Sequence, residues 1–396
     1  MEIDTNSEKI NRLLTRGVEE IFVKESLQNK LCSGRELRVK LGFDPTSPYV
    51  HIGRAVVLWK LREFQELGHK IIFIVGDFTA LIGDPSDKLE KRPALTAEQI
   101  KENTKYYKKQ VGKIIDIKKA EFKFNSRWLK KLNFSDVAEL AECFSVQQMS
   151  HRRNFADRME KGEEISLREF LYPLMQGYDS VEVKADVELG GFDQLFNLKA
   201  GRIIQKHYGQ PEQDIMAGAM LPGTDGRKMS SSWGNVINIL DKPGDMYGKI
   251  MSIRDDLIIK YFTLCTRLPE EEISKIEEGL KGGENPRDIK MRLAREIVAL
   301  YYSEKKARVA EKNFIKTFRN RGVPEEIKTV HAAAGCALAD ILVEEKIISS
   351  KSDWWRLVEG GGIEINGSVV KDARVVVSGE QLVRIGKKRF VKIISN

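Results

Sequence analysis

Apolar positions in the first quarter of the chain follow two different periods. Residues 37–43 (LRVKLGF) alternate and end apolar, which predicts a strand. From 52 to 67, Ile52, Val56, Leu58, Trp59, Leu61, Phe64 and Leu67 recur at helical spacing, and Gly68 is a suitable helix stop. KIIFIVG at 70–76 is apolar almost throughout, as a parallel strand buried on both faces would be. Strand, helix and strand within about forty residues make a βαβ unit. The fold class predicted is therefore α/β, with a Rossmann-type doubly wound parallel sheet.

The same reading continues along the chain. Residues 96–115 read as a helix, 121–126 (EFKFNS) as a strand, and about 135–180 as helical. VKADVELGG (183–191) reads as a strand ending in glycines, with a helix from Asp193. DIMAGAMLPG (214–223) reads as a further strand, followed by a Gly/Ser-rich loop. Residues 243–320 are helical in pattern, and 319–335 read as a linker. The last sixty or so residues change character, to two short helices (337–345 and 351–359) and then strands with an Asn-Gly turn.

Composition narrows the class modestly. The 396 residues carry 66 Lys+Arg against 58 Asp+Glu, a formal net charge of +8. That excess permits a nucleic-acid partner without requiring one. It is concentrated: residues 101–131 hold eleven Lys/Arg and three Asp/Glu, a pattern that fits either a solvated helix face or a surface meeting phosphates. The four cysteines are scattered without metal-ligand spacing, which predicts reduced thiols and a cytoplasmic protein. The N-terminus has no signal-peptide pattern, and no window approaches a membrane span.

Two loops carry candidate chemistry. FDPTSPYVHIGR (43–54) ends where a helix begins, and a helix N-terminus favours anions. Gly53 would let a flat ring or phosphate approach closely, His51 and Arg54 share one side of the first turn, and Thr46 supplies a hydroxyl. GTDGRKMSSSWGN (223–235) is too rich in Gly and Ser for a stable helix. It reads as a mobile loop with Lys228 as a point charge for phosphate. Alone, each is an ordinary turn or surface loop.

Together and in this order, HIGR and KMSSS resemble the two signature sequences of the class I aminoacyl-tRNA synthetases. KLGFDPTSPYVHIG, GDFTALIGDPSDK, FLYPLMQGYDSV and ADVELGGFDQLFNL resemble the bacterial tyrosyl-tRNA synthetases, over essentially the whole chain. The resemblance implies formation of tyrosyl-adenylate from L-tyrosine and ATP, with Mg²⁺ carried on the ATP, then transfer of tyrosine to tRNA(Tyr). It places Thr46 and His51 at the γ-phosphate, Gly53 beneath adenine, and Lys228 on pyrophosphate, with Met229 and Ser230 beside it. Gly191 and Asp193 fall at the ribose, and Lys88 and Arg92 over the phosphates and acceptor end. Asp84, Tyr172 and Gln176 match ammonium ligands, Asp179 the phenol acceptor, and Gln194 the residue beside the substrate carboxyl. Tyr172, Gln176 and Asp179 are spaced to share one helix face.

The resemblance further implies a homodimer and a four-part chain. These parts are a catalytic domain (1–235) with a helical insertion at about 127–180 forming the dimer interface, an all-helical tRNA-binding domain (236–322), a linker (323–335), and a small α+β S4-like RNA-binding domain (336–396). In that last part Arg384, Lys387, Lys388, Arg389 and Lys392 form a basic stripe, and of Trp354 and Trp355 at least one belongs to the core. Four positions depart from the family pattern. Arg54 replaces a usual histidine, and Ser231 a common lysine, as in archaeal and eukaryotic tyrosine enzymes. Lys40 replaces a phenol-binding tyrosine, and Phe192 replaces a small residue where it would narrow the adenylate pocket. Arg54 is expected to supply the charge lost at 231. A tryptophanyl enzyme and a synthetase-like RNA-binding protein without catalysis are the alternatives.

Overall fold

The computed structural model describes residues 2–86, 95–230, 233–316, 327–333, 335–386 and 389–395. The chain divides into two compact units, Met1–Ala307 and Arg308–Asn396.

The first unit is built on strands β1 (Val18–Phe22), β2 (Arg38–Phe43), β3 (Lys70–Val75), β4 (Ala120–Phe124), β5 (Val187–Gly191) and β6 (Asp214–Gly218), in spatial order β1-β6-β5-β2-β3-β4. β2 to β6 are parallel and β1 closes one edge antiparallel to β6. β1 was not legible beforehand, since VEEIF holds too few apolar residues for a clear period. β2 is central, with Val39 opposite both Ile71 and Val187. β3 is buried at every position but its first, matching its unbroken apolar run.

Helix α1 (Ile52–Glu66) returns the chain from β2 to β3. Its end is set by Gly68, at φ +96°, where a side chain would press on the Glu2 carbonyl at 2.9 Å. Helix α2 (Leu167–Val183) opens with a Ser166–Glu169 capping box and packs on α3 (Leu195–His207). A Cβ on Gly177 would stand 2.6 Å from Ile204 Cδ1, so the two helices can approach this closely only at glycine. The strand expected from 183 starts at Val187, because α2 continues to Val183, and the strand expected over 214–223 ends at Gly218. The single helix expected at 96–115 is two, Ala97–Thr104 and Tyr107–Val111.

Helices α4 (Pro243–Met251), α5 (Ile258–Cys265), α6 (Glu270–Lys281) and α7 (Pro286–Tyr301) form the helical part, and a further helix spans Glu304–Phe314. Arg16 joins it to the sheet. Its guanidinium donates to the carbonyls of Phe262, Thr263, Thr266 and Leu268, at and just beyond the end of α5, where helical carbonyls run out of backbone donors.

The second unit is a five-stranded sheet with helices α8 (Leu338–Glu344) and α9 (Lys351–Glu359). Its strands are β7 (Lys328–Ala332), β8 (Ile363–Ile365), β9 (Ser368–Val369), β10 (Glu380–Ile385) and β11 (Arg389–Ser395), in order β7-β11-β10-β8-β9. The segment read as linker, 323–335, is corrected in part: 328–332 is an edge strand parallel to β11. Only Val330 of β7 is buried, which left no period to read. Trp354 fills the core beside Leu338, Leu342, Val383 and Val391, and its indole N–H donates to the Ala373 carbonyl at 2.9 Å. Trp354→Ala is expected to destabilise this unit by about 3–5 kcal/mol. Trp355→Ala, at a position 55% exposed, should change it by less than about 0.5 kcal/mol. Calorimetry of the full chain measures both, and equal effects would place the wrong tryptophan in the core.

Candidate active site

The chain leaves β2 toward β3 and β4 on one side and comes back to β5 and β6 on the other. A crevice opens at such a switch point, outside the carboxyl ends of the strands. Here it is a cleft of about 950 Å³, bordered by Leu41–Asp44 at the end of β2, Leu189–Gly191 at the end of β5 and Ala219–Leu221 after β6.

One end of the cleft is built to meet anions. His51 is the N-cap of α1, and its Nδ1 accepts the Arg54 backbone N–H at 3.2 Å. An acceptor at Nδ1 puts the ring proton on Nε2. Burial, with the cations of Arg54 and Lys228 nearby, drives the imidazole down to about 3, so it stays neutral. The Arg54 guanidinium donates to Thr46 Oγ1 (3.1 Å), Tyr107 Oη (3.2 Å) and the Asp44 carbonyl (3.3 Å), and lies over the Phe43 ring. Lys228 comes from the 223–235 loop and pairs with Asp193 at 2.7 Å. A Cβ on Gly53 would meet His51 at 3.0 Å and Met229 Sδ at 3.3 Å, so glycine keeps this floor open.

The other end presents carboxylates and amides. Asp84 Oδ2 accepts from Gln194 at 2.6 Å, and Asp84 Oδ1 from Asn197 at 3.3 Å. Tyr172 Oη donates to Asp44 Oδ2 at 2.9 Å, while Asp44 Oδ1 accepts from Thr79 at 2.7 Å. Burial, with Asp84 nearby, pushes the Asp44 carboxyl up to about 7. Asp179 lies behind the cleft wall, held by Trp128 Nε1 (2.8 Å) and Asn125 Nδ2 (3.3 Å), and burial raises it also to about 7.

Thr46, His51, Gly53, Arg54, Asp84, Tyr172, Gln176, Gly191, Asp193, Gln194, Lys228, Met229 and Ser230 all line this one cleft. Asp179 does not border it, and Gln194 is engaged with Asp84. Phe192, expected to narrow the pocket, is corrected: it turns outward, 42% exposed, and does not line the cleft. Lys88, Arg92 and Ser231 lie outside the described residues, as do Lys387 and Lys388. In the second unit Arg384 pairs with Glu364 at 2.8 Å and Lys392 with Glu380 at 2.7 Å, while Arg389 donates to the Ile347 carbonyl. The basic stripe is thus partly neutralised by acids on neighbouring strands. Sequence reasoning missed Asp44, Tyr107, Asn125, Trp128 and Asn197. Asp44 stood inside the quoted FDPT stretch, whereas the others have no local signal.

A doubly wound sheet with an anion-binding helix start, a lysine-bearing loop and a carboxylate-and-amide end defines an enzyme that joins a nucleotide to a small polar molecule. Residues 33–319 match the family described as tRNA synthetases class I (W and Y), and the chain belongs to it. It is similar to the tyrosine–tRNA ligase of Thermotoga maritima, 47% identical over 96% of each chain. It is also similar to that of Carboxydothermus hydrogenoformans, 45% identical over 96% of this chain and 97% of the relative. A C-terminally truncated Aspergillus nidulans mitochondrial tyrosyl-tRNA synthetase shares the fold, with a TM-score of 0.63 at 23% identity over 78% of this chain and 93% of that one. An Archaeoglobus fulgidus tyrosyl-tRNA synthetase complexed with L-tyrosine shares it too, with a TM-score of 0.61 at 24% identity over 77% and 99%.

The raised carboxyls have a measurable consequence. Asp179 binds its proton more tightly folded than unfolded, so its stability contribution is full below 3.8 and is lost as pH rises to about 7. Asp179→Asn should therefore gain on the native chain in urea unfolding by up to about 1.4 kcal/mol per pH unit in that window. A difference that stays flat with pH would show that the carboxyl is not raised.

Proposed function

We propose that the protein is a tyrosine–tRNA ligase. It activates L-tyrosine with ATP to tyrosyl-adenylate and pyrophosphate, then passes tyrosine to the 3′ end of tRNA(Tyr). The observation that carries the reading is the convergence, in one cleft, of the amino-acid end (Asp84, Tyr172, Gln176) with the anion end (Thr46, His51, Arg54, Lys228).

In the first step the tyrosine carboxylate attacks the α-phosphorus in line, and the bond to the bridging oxygen of pyrophosphate breaks. No proton moves, so the work is positioning and charge stabilisation. Neutral His51 donates from Nε2–H and Thr46 from its hydroxyl, while Arg54 and Lys228 face the departing charge. Asp193 takes the ribose and Lys228 the phosphates, so nucleotide entry separates the 2.7 Å pair between them. Lys88 and Arg92 are assigned to the phosphates and acceptor end by resemblance alone. Mg²⁺ enters on ATP. ATP's own phosphate oxygens are the hard ligands such an ion takes, as the resemblance implies. Asp84, Tyr172 and Gln176 hold the ammonium, and Asp179, which Trp128 and Asn125 hold behind the cleft wall, is assigned to the phenol end by resemblance.

The homodimer is supported by Phe134 (91% exposed), Val146 (78%) and Leu167 (83%), three large apolar residues exposed within 127–180. The α+β end, with Arg384, Arg389 and Lys392, is proposed to meet tRNA. No helix among the described residues is long and apolar enough to cross a membrane.

Amino-acid-dependent exchange of pyrophosphate into ATP tests the reading. Tyrosine alone should support it. Exchange with tryptophan alone supports the tryptophanyl alternative, and silence supports a non-catalytic RNA-binding protein. In the same assay Arg54→His should slow adenylate formation by about tenfold or more, the loss of one charge-assisted contact. Ser231→Lys should recover part of that loss, whereas strictly independent effects of the two substitutions would overturn the compensation.

A further inference from the structure

A sealed polar cluster lies behind the amino-acid end of the cleft. Lys40 and Glu188, exposed by 0% and 1%, pair at 2.9 Å. Lys40 Nζ also donates to Ser180 Oγ and to the Gln176 carbonyl, each at 2.8 Å, which uses all three of its donors. Lys40 therefore does not reach the cleft, and the phenol-binding role vacated at this position is not refilled by its ammonium. Glu188 Oε2 accepts from Ser180 Oγ at 3.2 Å and Gln213 Nε2 at 2.5 Å. Gly201 of α3 makes room for this, since a Cβ there would stand 2.4 Å from Gln213 Nε2 and 3.1 Å from Glu188 Oε2.

Only one member of the cluster reaches the cleft. Gln176 Nε2 donates to Glu188 Oε1 at 3.1 Å, while Gln176 itself lines the cavity. A glutamine amide has a donor end and an acceptor end, and nothing in its own shape decides which faces a ligand. A carboxylate held against an ammonium accepts only. Glu188 therefore takes the NH₂ end and leaves Gln176 Oε1 as the group that can face a bound molecule. An acceptor there suits an ammonium, whereas the reversed amide would set two N–H donors against it.

We propose that Lys40 and Glu188 are positioning residues that lock the Gln176 amide with its oxygen toward the cleft, making this end selective for a free α-ammonium over the same molecule without one. The inference rests on the tyrosine reading and deepens it. A plain structural role for the pair would weaken every ligand of the cleft together, or none. The positioning role weakens only the ligand that carries the ammonium.

The test uses the full chain. KM for L-tyrosine and for ATP are measured by pyrophosphate exchange, beside the inhibition constant of 3-(4-hydroxyphenyl)propionate, which lacks the amino group. In Glu188→Gln the new amide can donate to Gln176 Oε1 and release the flip. KM for tyrosine should rise about tenfold or more, with the inhibitor constant and KM for ATP unchanged. Lys40→Met combined with Glu188→Gln leaves no unpaired buried charge and should show the same selective loss if the single variant is insoluble. Gln176→Leu disturbs no buried ion and should reproduce it as well. Equal weakening of tyrosine and the deaminated analogue, or no weakening of either, overturns the proposal. Failure of the native chain to exchange with tyrosine would instead sink the functional reading on which it rests.

Discussion

The position of β2 governs the molecule. It is the central strand of the parallel sheet, with β3 and β4 on one side and β5 and β6 on the other. Loops at its carboxyl end have no strand to cross over, so a crevice opens there. The groups that line that crevice reach it from strand ends, helix starts, a helix face and the 223–235 loop. His51 arrives on the first turn of α1, Asp193 just beyond β5, and Tyr172 and Gln176 on α2, which packs against α3 at Gly177.

The two ends of the cleft then differ in physics. At the anion end positive charge is concentrated on Arg54 and Lys228, and burial, helped by that charge, keeps His51 a neutral donor. A neutral imidazole fixed as an N-cap needs no proton transfer to act and presents its N–H at every physiological pH. Arg54 is tethered through Thr46 and Tyr107, so its cation is pre-placed, whereas the cation of Lys228 sits on a loop. At the amino-acid end carboxyls are crowded and buried. Asp44 and Asp179 are both pushed up to about 7, chiefly by burial.

The buried Lys40–Glu188 pair belongs to the same logic. A sealed ion pair seldom adds net stability, because desolvation offsets attraction. Its retention is explained by what it dictates to a neighbour, here the direction of one amide. Asn197 shows a related pattern at Asp84: its Oδ1 accepts from Arg152 at 3.0 Å, which turns its NH₂ toward the carboxylate. In both places a buried charge sets the polarity of an uncharged side chain that faces, or supports, the cleft.

Much of this was written in local pattern. The βαβ opening, the helix start at His51, the lysine loop and the helical spacing of Tyr172 and Gln176 are short-range features, so periodicity and turn chemistry suffice to read them. The edge strands β1 and β7 escaped because an edge needs few apolar residues and leaves no period. Asp44, Asn125, Trp128, Asn197 and Tyr107 escaped because their roles depend on partners remote in sequence, such as Asp44 with Tyr172, 128 positions away. The sequence by itself determined which chemical groups the protein carries and which elements bear them. The tertiary structure alone decided which of them meet, that Phe192 turns outward and Lys40 inward, how tightly each carboxyl holds its proton, and which end of an amide faces the cleft. Those outcomes depend on burial and on distances between remote residues, and no local pattern contains either.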